Sequence, residues 1–352
     1  MKKRYAQIII LFLVLILAAL PASPIAVQAA GPEAMEVHFI DVGQGDATLI
    51  TCGGHSMLID AGDDSKGTAI QSYLMKQDVE KLDYLVLTHP DSDHIGGAPV
   101  IITKFDIDQV FMSDFTKDNS TYEKLIQALD YRRLPYETPK AGSLYSLGDA
   151  TVTILGPVKT YDNPNDSSIV VSIRHGNNRF LFTGDATEAA EEDLLDSGTD
   201  LSADVYHVGH HGSRTSTSDR FFQAVSPSEA VISCGEDNAY GHPHAQTLNT
   251  FRIHGVRVYR TDEDGTIVAT SDGDEILFRT PPSETWKPGE PTQSNGRVSL
   301  QITYVLNTNT HKFHRPTCSS VGTIKEKNRA DTTDSRDQVI GQGYVPCKNC
   351  HP

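Results

Sequence analysis

After its first thirty residues, this 352-residue sequence has no run long or apolar enough to cross a membrane, so the chain cannot by itself form a channel. Positive charge is also short: 30 Lys and Arg face 46 Asp and Glu, for a net −16. The deficit is uneven, because residues 1–29 and 299–352 each carry +3 and residues 30–298 are left at −22. A field of that sign repels nucleic acid unless metal ions and local basic groups offset it. Cysteine is scarce. Of the five, Cys318, Cys347 and Cys350 fall near the C-terminus, where three thiols cannot all pair with one another. Cys52 and Cys234 end the strand-like runs LITC and VISC and are expected as buried free thiols.

The N-terminus supplies what the rest lacks. Lys2, Lys3 and Arg4 precede an apolar run from Ile8 to Leu20, and Val27-Gln28-Ala29 offers a small-residue cleavage site. Residues 1–29 thus read as a signal peptide, too short to span a membrane. The folded part is expected to be secreted or extracytoplasmic, held at the cell surface if the signal stays uncleaved, and otherwise free of stable membrane insertion. Residues 30–280 alternate strand-like and helix-like stretches, with glycine-centred hairpin turns at Gly53-Gly54 and Gly176-Asn177. Hairpins early in each half, followed by strand–helix alternation, predict two similar halves and mixed sheets covered by helices. Residues 281–298, with four prolines and two glycines in PPSETWKPGEPTQSNG, read as an exposed linker, and 299–352 as a small second domain.

The segment THPDSDHIGG, residues 88–97, sets His89, Asp91, Asp93 and His94 directly after a strand that reads as buried on both faces. Gly96 and Gly97 then let the backbone pass close by. Other apolar strands end the same way: LIDAG at Asp60, LFTGD at Asp185, and YHVGHH at His207, His210 and His211. NPNDSS adds Asn165 and Asp166, and NAYGHPH adds His242 and His244. Asp and His gathered at so many strand ends are the donors one or two divalent cations require. Ser213 and Arg214, with the hydroxyls that follow, offer hydrogen bonds and a guanidinium to phosphate oxygens. They serve equally as a polar loop. His244 likewise suits either a substrate contact or the start of the following helix.

The motifs FIDVGQGDATLI, LIDAG, LTHPDSDHIGG, NDSSIVV, FTGDAT, HVGHHGSRTSTS and YGHPH occur in this order. Together they resemble the metallo-β-lactamase superfamily, and within it the nuclease-like domain of the ComEC competence proteins. The resemblance implies an α/β fold, a four-layer αββα sandwich with a binuclear site along the edge of its two sheets. It implies a first metal on His89, Asp91 and Asp166. A second would sit on Asp93, His94 and His210 or His211, of which His210 follows the strand more closely, with Asp185 bridging. Asp91 stands where most of the superfamily has a histidine, and an oxygen donor shifts preference from zinc towards manganese. A hydroxide between two such ions would be the nucleophile, with Asp93 and Asp185 holding it in place and His242 or His244 opposite the leaving oxygen. Asp60 is expected to orient a ligand from behind. Asp41 and the Gly43-Gln44-Gly45-Asp46 turn are expected to be structural.

In the tail, His314-x3-Cys318 and Cys347-x2-Cys350 lie 28 residues apart and fit a closed tetrahedral zinc site, with His311 and His351 as alternative ligands. The stretch GYVPCKNCHP resembles the small zinc-binding module of the Ada DNA-repair proteins. The function these features predict is metal-dependent cleavage of a phosphodiester, DNA above all, with a membrane DNA-uptake channel as partner. The alternatives are a metallo-hydrolase of a small envelope substrate (a lactam, lactone or phosphodiester) and a non-catalytic secreted binding module.

Overall fold

The structure is a computed structural model that describes residues 33–289 and 304–352, apart from 317, 333, 335 and 351. The expected signal peptide, residues 290–298 of the expected linker and the alternative ligand His351 lie outside the described residues. The first half of the chain builds β1 (Met35–Phe39), β2 (Thr48–Cys52), β3 (His55–Ile59), β4 (Lys81–Leu87), β5 (Asp106–Met112) and β6 (Tyr136–Glu137). The second half builds β7 (Leu144–Leu147), β8 (Ala150–Gly156), β9 (Val170–His175), β10 (Asn178–Phe182), β11 (Val205–His207), β12 (Glu229–Ile232) and β13 (Arg257–Arg260). The chain then returns with β14 (Ile267–Ser271) and β15 (Ile276–Phe278) to pair β14 antiparallel with β1. The sheet orders are 15-14-1-2-3-4-5-6 and 13-12-11-10-9-8-7.

Both sheets are mixed. β1, β2 and β3 are antiparallel before β3 to β6 run parallel, and β7 to β10 are antiparallel before β10 to β13 run parallel. The sequence reading of two similar halves therefore matches the topology. At the β2–β3 hairpin Gly53 and Gly54 take φ of +57° and +77°, the left-handed pair that matches strand twist.

Alternation along each strand separates the layers. Met35, Val37, Phe39, Ile50 and Val86 of the first sheet meet Val171, Ile173, Phe180, Phe182 and Val231 of the second. The opposite faces bury Leu49, Leu58 and Leu85 under Ile70, Leu74, Ile101 and Leu125 of the first set of helices. Leu181, Tyr206 and Ile232 lie under Leu194, Phe221 and Phe251 of the second set. Helix, sheet, sheet, helix: the expected αββα sandwich is present. The covering helices include Gly67–Lys76, Ser120–Arg132, Glu188–Asp196, Asp219–Val225 and Ala245–His254.

One link between helices has a measurable consequence. Glu191 is buried in the helix Glu188–Asp196, and its carboxylate accepts from the backbone N–H groups of Thr217 and Ser218 at the head of the next helix. Burial pushes its carboxyl up to about 7 against those donors, from an ordinary 4.5. A carboxyl raised on folding binds its proton more tightly in the folded state. Its stabilisation is complete below pH 4.5 and is lost as pH rises towards 7. The melting temperature of the wild type, relative to Glu191→Gln, should fall across that window. A difference that stays flat from pH 4 to 8 would contradict this.

Residues 281–289 depart from the picture of a free linker. Ser283 N–H donates to Val258 O, Gly289 N–H to Pro243 O, and Trp286 packs on the second outer core. The tail is a separate four-stranded sheet of β16 (Tyr304–Asn307), β17 (Lys312–His314), β18 (Arg329–Thr332) and β19 (Val345–Pro346), in the order 18-16-17-19. Its cores are small. One gathers Tyr304, Leu306, Phe313 and Val339, and the other Val305 and Val321 with Cys318 and Cys347.

Candidate metal centres

The chemistry-bearing residues follow the C-terminal ends of parallel strands in both sheets, where side chains from several loops converge. β4 leads into Thr88 and His89, β10 into Asp185, and β11 into His210 and His211. Close backbone approach holds the loops. A Cβ on Gly45 would sit 2.4 Å from Asp93 O, and one on Gly97 would sit 2.1 Å from Ala61 O. Glycine is the only residue that fits at either place.

Hydrogen bonds fix which nitrogen of each histidine is bare. His94 Nδ1 lies 2.8 Å from Asp60 Oδ2, a carboxylate that can only accept, so Nε2 carries no proton in the neutral ring. Thr88 Oγ1 donates to the same Asp60 oxygen at 2.7 Å and so accepts from His89 Nδ1 at 3.2 Å, which leaves His89 Nε2 bare. His211 Nδ1 donates to Ser233 O at 3.0 Å, with the same result. All three Nε2 atoms, together with Asp185 Oδ1, are buried and without a hydrogen-bond partner. Buried polar atoms left bare at one place are what a cation requires and what a packed core avoids.

The donor atoms fall into two groups, one at each oxygen of Asp185. Its Oδ1 lies 3.2 Å from His94 Nε2 and 3.7 Å from His211 Nε2, and His211 Nε2 is 3.3 Å from Asp93 Oδ2. Its Oδ2 lies 3.7 Å from both His89 Nε2 and His210 Nε2, with Asp91 Oδ1 3.8 Å from His89. Asp46, His94, Asp185 and His211 each offer a ligand atom within 4.8 Å of the others. Burial alone would raise the Asp185 carboxyl, yet His94, His211 and His89 hold it well below the carboxylate range. Burial likewise opposes charge on His94 and His211, but Asp185 outweighs it in both, and their pKa values rise.

Two placements differ from the sequence reading, those of the histidine pair and of Asp46. His211, not His210, joins Asp93 and His94; His210 faces the His89 side. Both histidines take left-handed φ (+53° and +55°), an irregular turn after the strand that residue spacing alone does not reveal. Asp166 turns Oδ1 to Thr187, accepting from its N–H at 3.1 Å and its hydroxyl at 2.6 Å. Asp46, expected to be structural, is buried with Oδ1 lacking a hydrogen-bond partner, and its carboxylate offers a ligand atom within 4.8 Å of those of His94, Asp185 and His211. Its neighbouring glycines and its own charge were the available signal. Asp91 is paired by Lys117, a cation that no motif singles out.

Asp60 orients His94 directly and His89 through Thr88, as anticipated for a residue behind the ligands. Asp60→Ala is expected to weaken metal binding by about 10–100-fold. Calorimetric titration of the metal-stripped protein checks this, and unchanged affinity would refute the role. His207, by contrast, packs on Phe39 and Phe182 and bonds Ser233 Oγ at 2.8 Å, as a core residue.

The remaining predicted residues border the centre. His242 is buried with its ring 5.5 Å from His210, and burial together with His211 and His244 lowers it to about 3. His244 accepts at Nδ1 from Arg214 N–H at 3.1 Å, and burial and Arg214 bring it down to about 4. Both are therefore neutral near pH 7, and His244 keeps a proton on Nε2 to donate. His244 opens the following helix without capping it through its side chain. Ser213 is buried and engaged with Thr215 Oγ1 at 2.9 Å, whereas Arg214 is exposed.

A second cluster lies in the tail. His314, Cys318, Cys347 and Cys350 place one ligand atom each within 4.8 Å of one another, and both His314 nitrogens are buried without a hydrogen-bond partner. The N–H groups of Arg315 and Asn349 donate to Cys350 Sγ and Cys347 Sγ, each at 3.4 Å, which favours thiolate. His314 lowers the Cys318 thiol to about 6. His311 instead turns to Tyr344 at 5.3 Å. Cys52 and Cys234 are buried free thiols.

The αββα sandwich and its edge cluster of Asp and His are matched by the model of the metallo-β-lactamase superfamily over residues 40–236, and the chain belongs to that superfamily. It is similar to ComE operon protein 3 of Bacillus subtilis, 32% identical over 255 residues that cover 66% of this chain and 32% of that protein. It is also similar to competence protein ComA of Neisseria gonorrhoeae, 31% identical over 229 residues covering 64% of this chain and 31% of that protein. The chain thus spans about a third of the length of these relatives. Among solved structures, the metallo-β-lactamase fold protein YhfI of Bacillus subtilis aligns at 15% identity and TM-score 0.47, over 68% of this chain and all of that one.

Proposed function

We propose that this protein is a binuclear metal-dependent hydrolase that cleaves phosphodiesters, with DNA as substrate, outside the cytoplasm. The observation that carries the reading is Asp185, whose Oδ1 faces the bare Nε2 atoms of His94 and His211 and whose Oδ2 faces Nε2 of His89 and of His210. Divalent ions held there would supply an activated water and neutralise charge on phosphoryl oxygens. The harder donors Asp91 and Asp93 favour manganese alongside zinc, while the three thiols of the tail favour zinc. Asp60, Ser233 and Thr88 keep the three imidazoles oriented without further reorganisation. His244, neutral and carrying its proton on Nε2, is placed to donate a hydrogen bond to a leaving oxygen, and Arg214 beside it to meet a phosphate. The names of the competence relatives support a setting in DNA uptake, with a membrane channel as partner.

The −22 of residues 30–298 favours a second reading, hydrolysis of a small or uncharged envelope substrate. One experiment separates the two. The purified protein is given single- and double-stranded DNA, a chromogenic phosphodiester and a lactam, with Mn²⁺ or Zn²⁺, beside Asp93→Ala. Metal-dependent DNA cleavage lost in Asp93→Ala supports the nuclease. Turnover of only the small substrates moves the assignment to the second reading.

A further inference from the structure

Between the sandwich and the tail lies an open groove of about 750 Å³. Arg214, Arg315 and Arg336 line it, with Glu188 as the one acidic residue among the lining side chains. Three guanidinium groups thus gather at one place in a chain whose net charge is −16. Each wall also hangs on one of the two candidate metal centres. On the sandwich side, Arg214 N–H bonds His244, Thr215 Oγ1 lies 3.1 Å from His210 Nδ1, and Thr187 bonds Asp166. On the tail side, Arg315 follows His314 directly and its N–H bonds Cys350 Sγ. Arg336 Nε donates to Pro352 O at 2.8 Å, which ties it to the end of the same strand-and-turn segment.

We propose that this groove holds the phosphodiester backbone of a single nucleic-acid strand and leads it to the metal centre beside Asp185. The proposal rests on the reading of the protein as a phosphodiesterase and names where its polymeric substrate is captured. Guanidinium forks bind phosphate oxygens in pairs and read no base, so binding is independent of sequence and strongly dependent on salt. The arrangement also assigns the tail a task. A metal on His314 and the three cysteines fixes the position of Arg315, and with it one side of the track.

The test measures binding without turnover. A fluorescent single-stranded DNA oligonucleotide is titrated with full-length Asp93→Ala protein at 50 to 200 mM salt, alone and combined with Arg315→Gln/Arg336→Gln or Arg315→Lys/Arg336→Lys. The glutamine pair is expected to weaken binding at least about tenfold and to reduce the salt slope by about 1.4, for two lost phosphate contacts on a single strand. The lysine pair should largely restore both. Parent protein that binds no oligonucleotide, or a glutamine pair that binds as tightly as the parent, overturns the proposal. If the glutamine pair loses its tail metal, Arg214→Gln on the opposite wall takes its place and must weaken binding by the same order. Because no cleavage is read, a protein that binds through the groove but cuts no DNA would sink the nuclease reading alone. One that cuts small diesters without holding a strand would sink the groove alone.

Discussion

Asp185→Asn is expected to lower phosphodiester turnover by on the order of 10³ or more and to reduce the metal content of the sandwich. The carboxylate faces both donor sets, so its loss weakens both positions at once, and an amide cannot supply two anionic oxygens. Substitutions on either side should divide the effect. His211→Ala removes a nitrogen from the Asp93–His94 side, and His210→Ala one from the His89 side. Elemental analysis of each variant, set beside its turnover, reads this directly. An Asp185→Asn protein that keeps two metals per chain and activity within tenfold of the wild type would rule out a bridging role.

The second large effect belongs to the tail. Its two cores comprise a handful of side chains, and three of its four candidate ligands sit in or against one of them. A structural zinc contributes apparent binding energies of roughly 10–16 kcal/mol in small metal-dependent folds, far more than this apolar burial can. Cys347→Ser is therefore expected to release the tail's metal and unfold it while the sandwich stays folded. Limited proteolysis with metal analysis is the check. Rapid loss of residues beyond about 300 supports the expectation, and a tail that resists protease with no bound metal contradicts it. Chelator should act on the wild type in the same direction.

Much of this architecture was legible because strands and helices announce themselves by period. The apolar runs in FIDVG, LDYLVLTH and RFLFTGD locate buried strands, and the polar residue ending each run falls at the sheet edge. Pairing over long separation was not legible. β14 joins β1 more than 200 residues away, and nothing local in IVATS marks that partner. The choice between His210 and His211 was equally hidden, since it depends on two consecutive left-handed backbone angles. Histidine enters that region more readily than most side chains, but its fit here rests on Gly184 O, which accepts from His210 N–H at 3.0 Å, and on Ser233 O behind His211. Lys117 and Asp46 escaped for another reason. An isolated lysine or aspartate in a loop carries no pattern, and only the folded chain shows what stands opposite it.

The splayed pair His210–His211 and the two oxygens of Asp185 have a shared consequence. Consecutive α-carbons are held about 3.8 Å apart by the trans peptide, and carboxylate oxygens are fixed still closer by their common carbon. On the second sheet the offset between the two donor sets is thus set by covalent bonds, at Asp185 and at the histidine pair. The first sheet brings His89, Asp93 and His94 to the same centre from across the sandwich. A substitution that shifts one sheet against the other should therefore disturb both donor sets together.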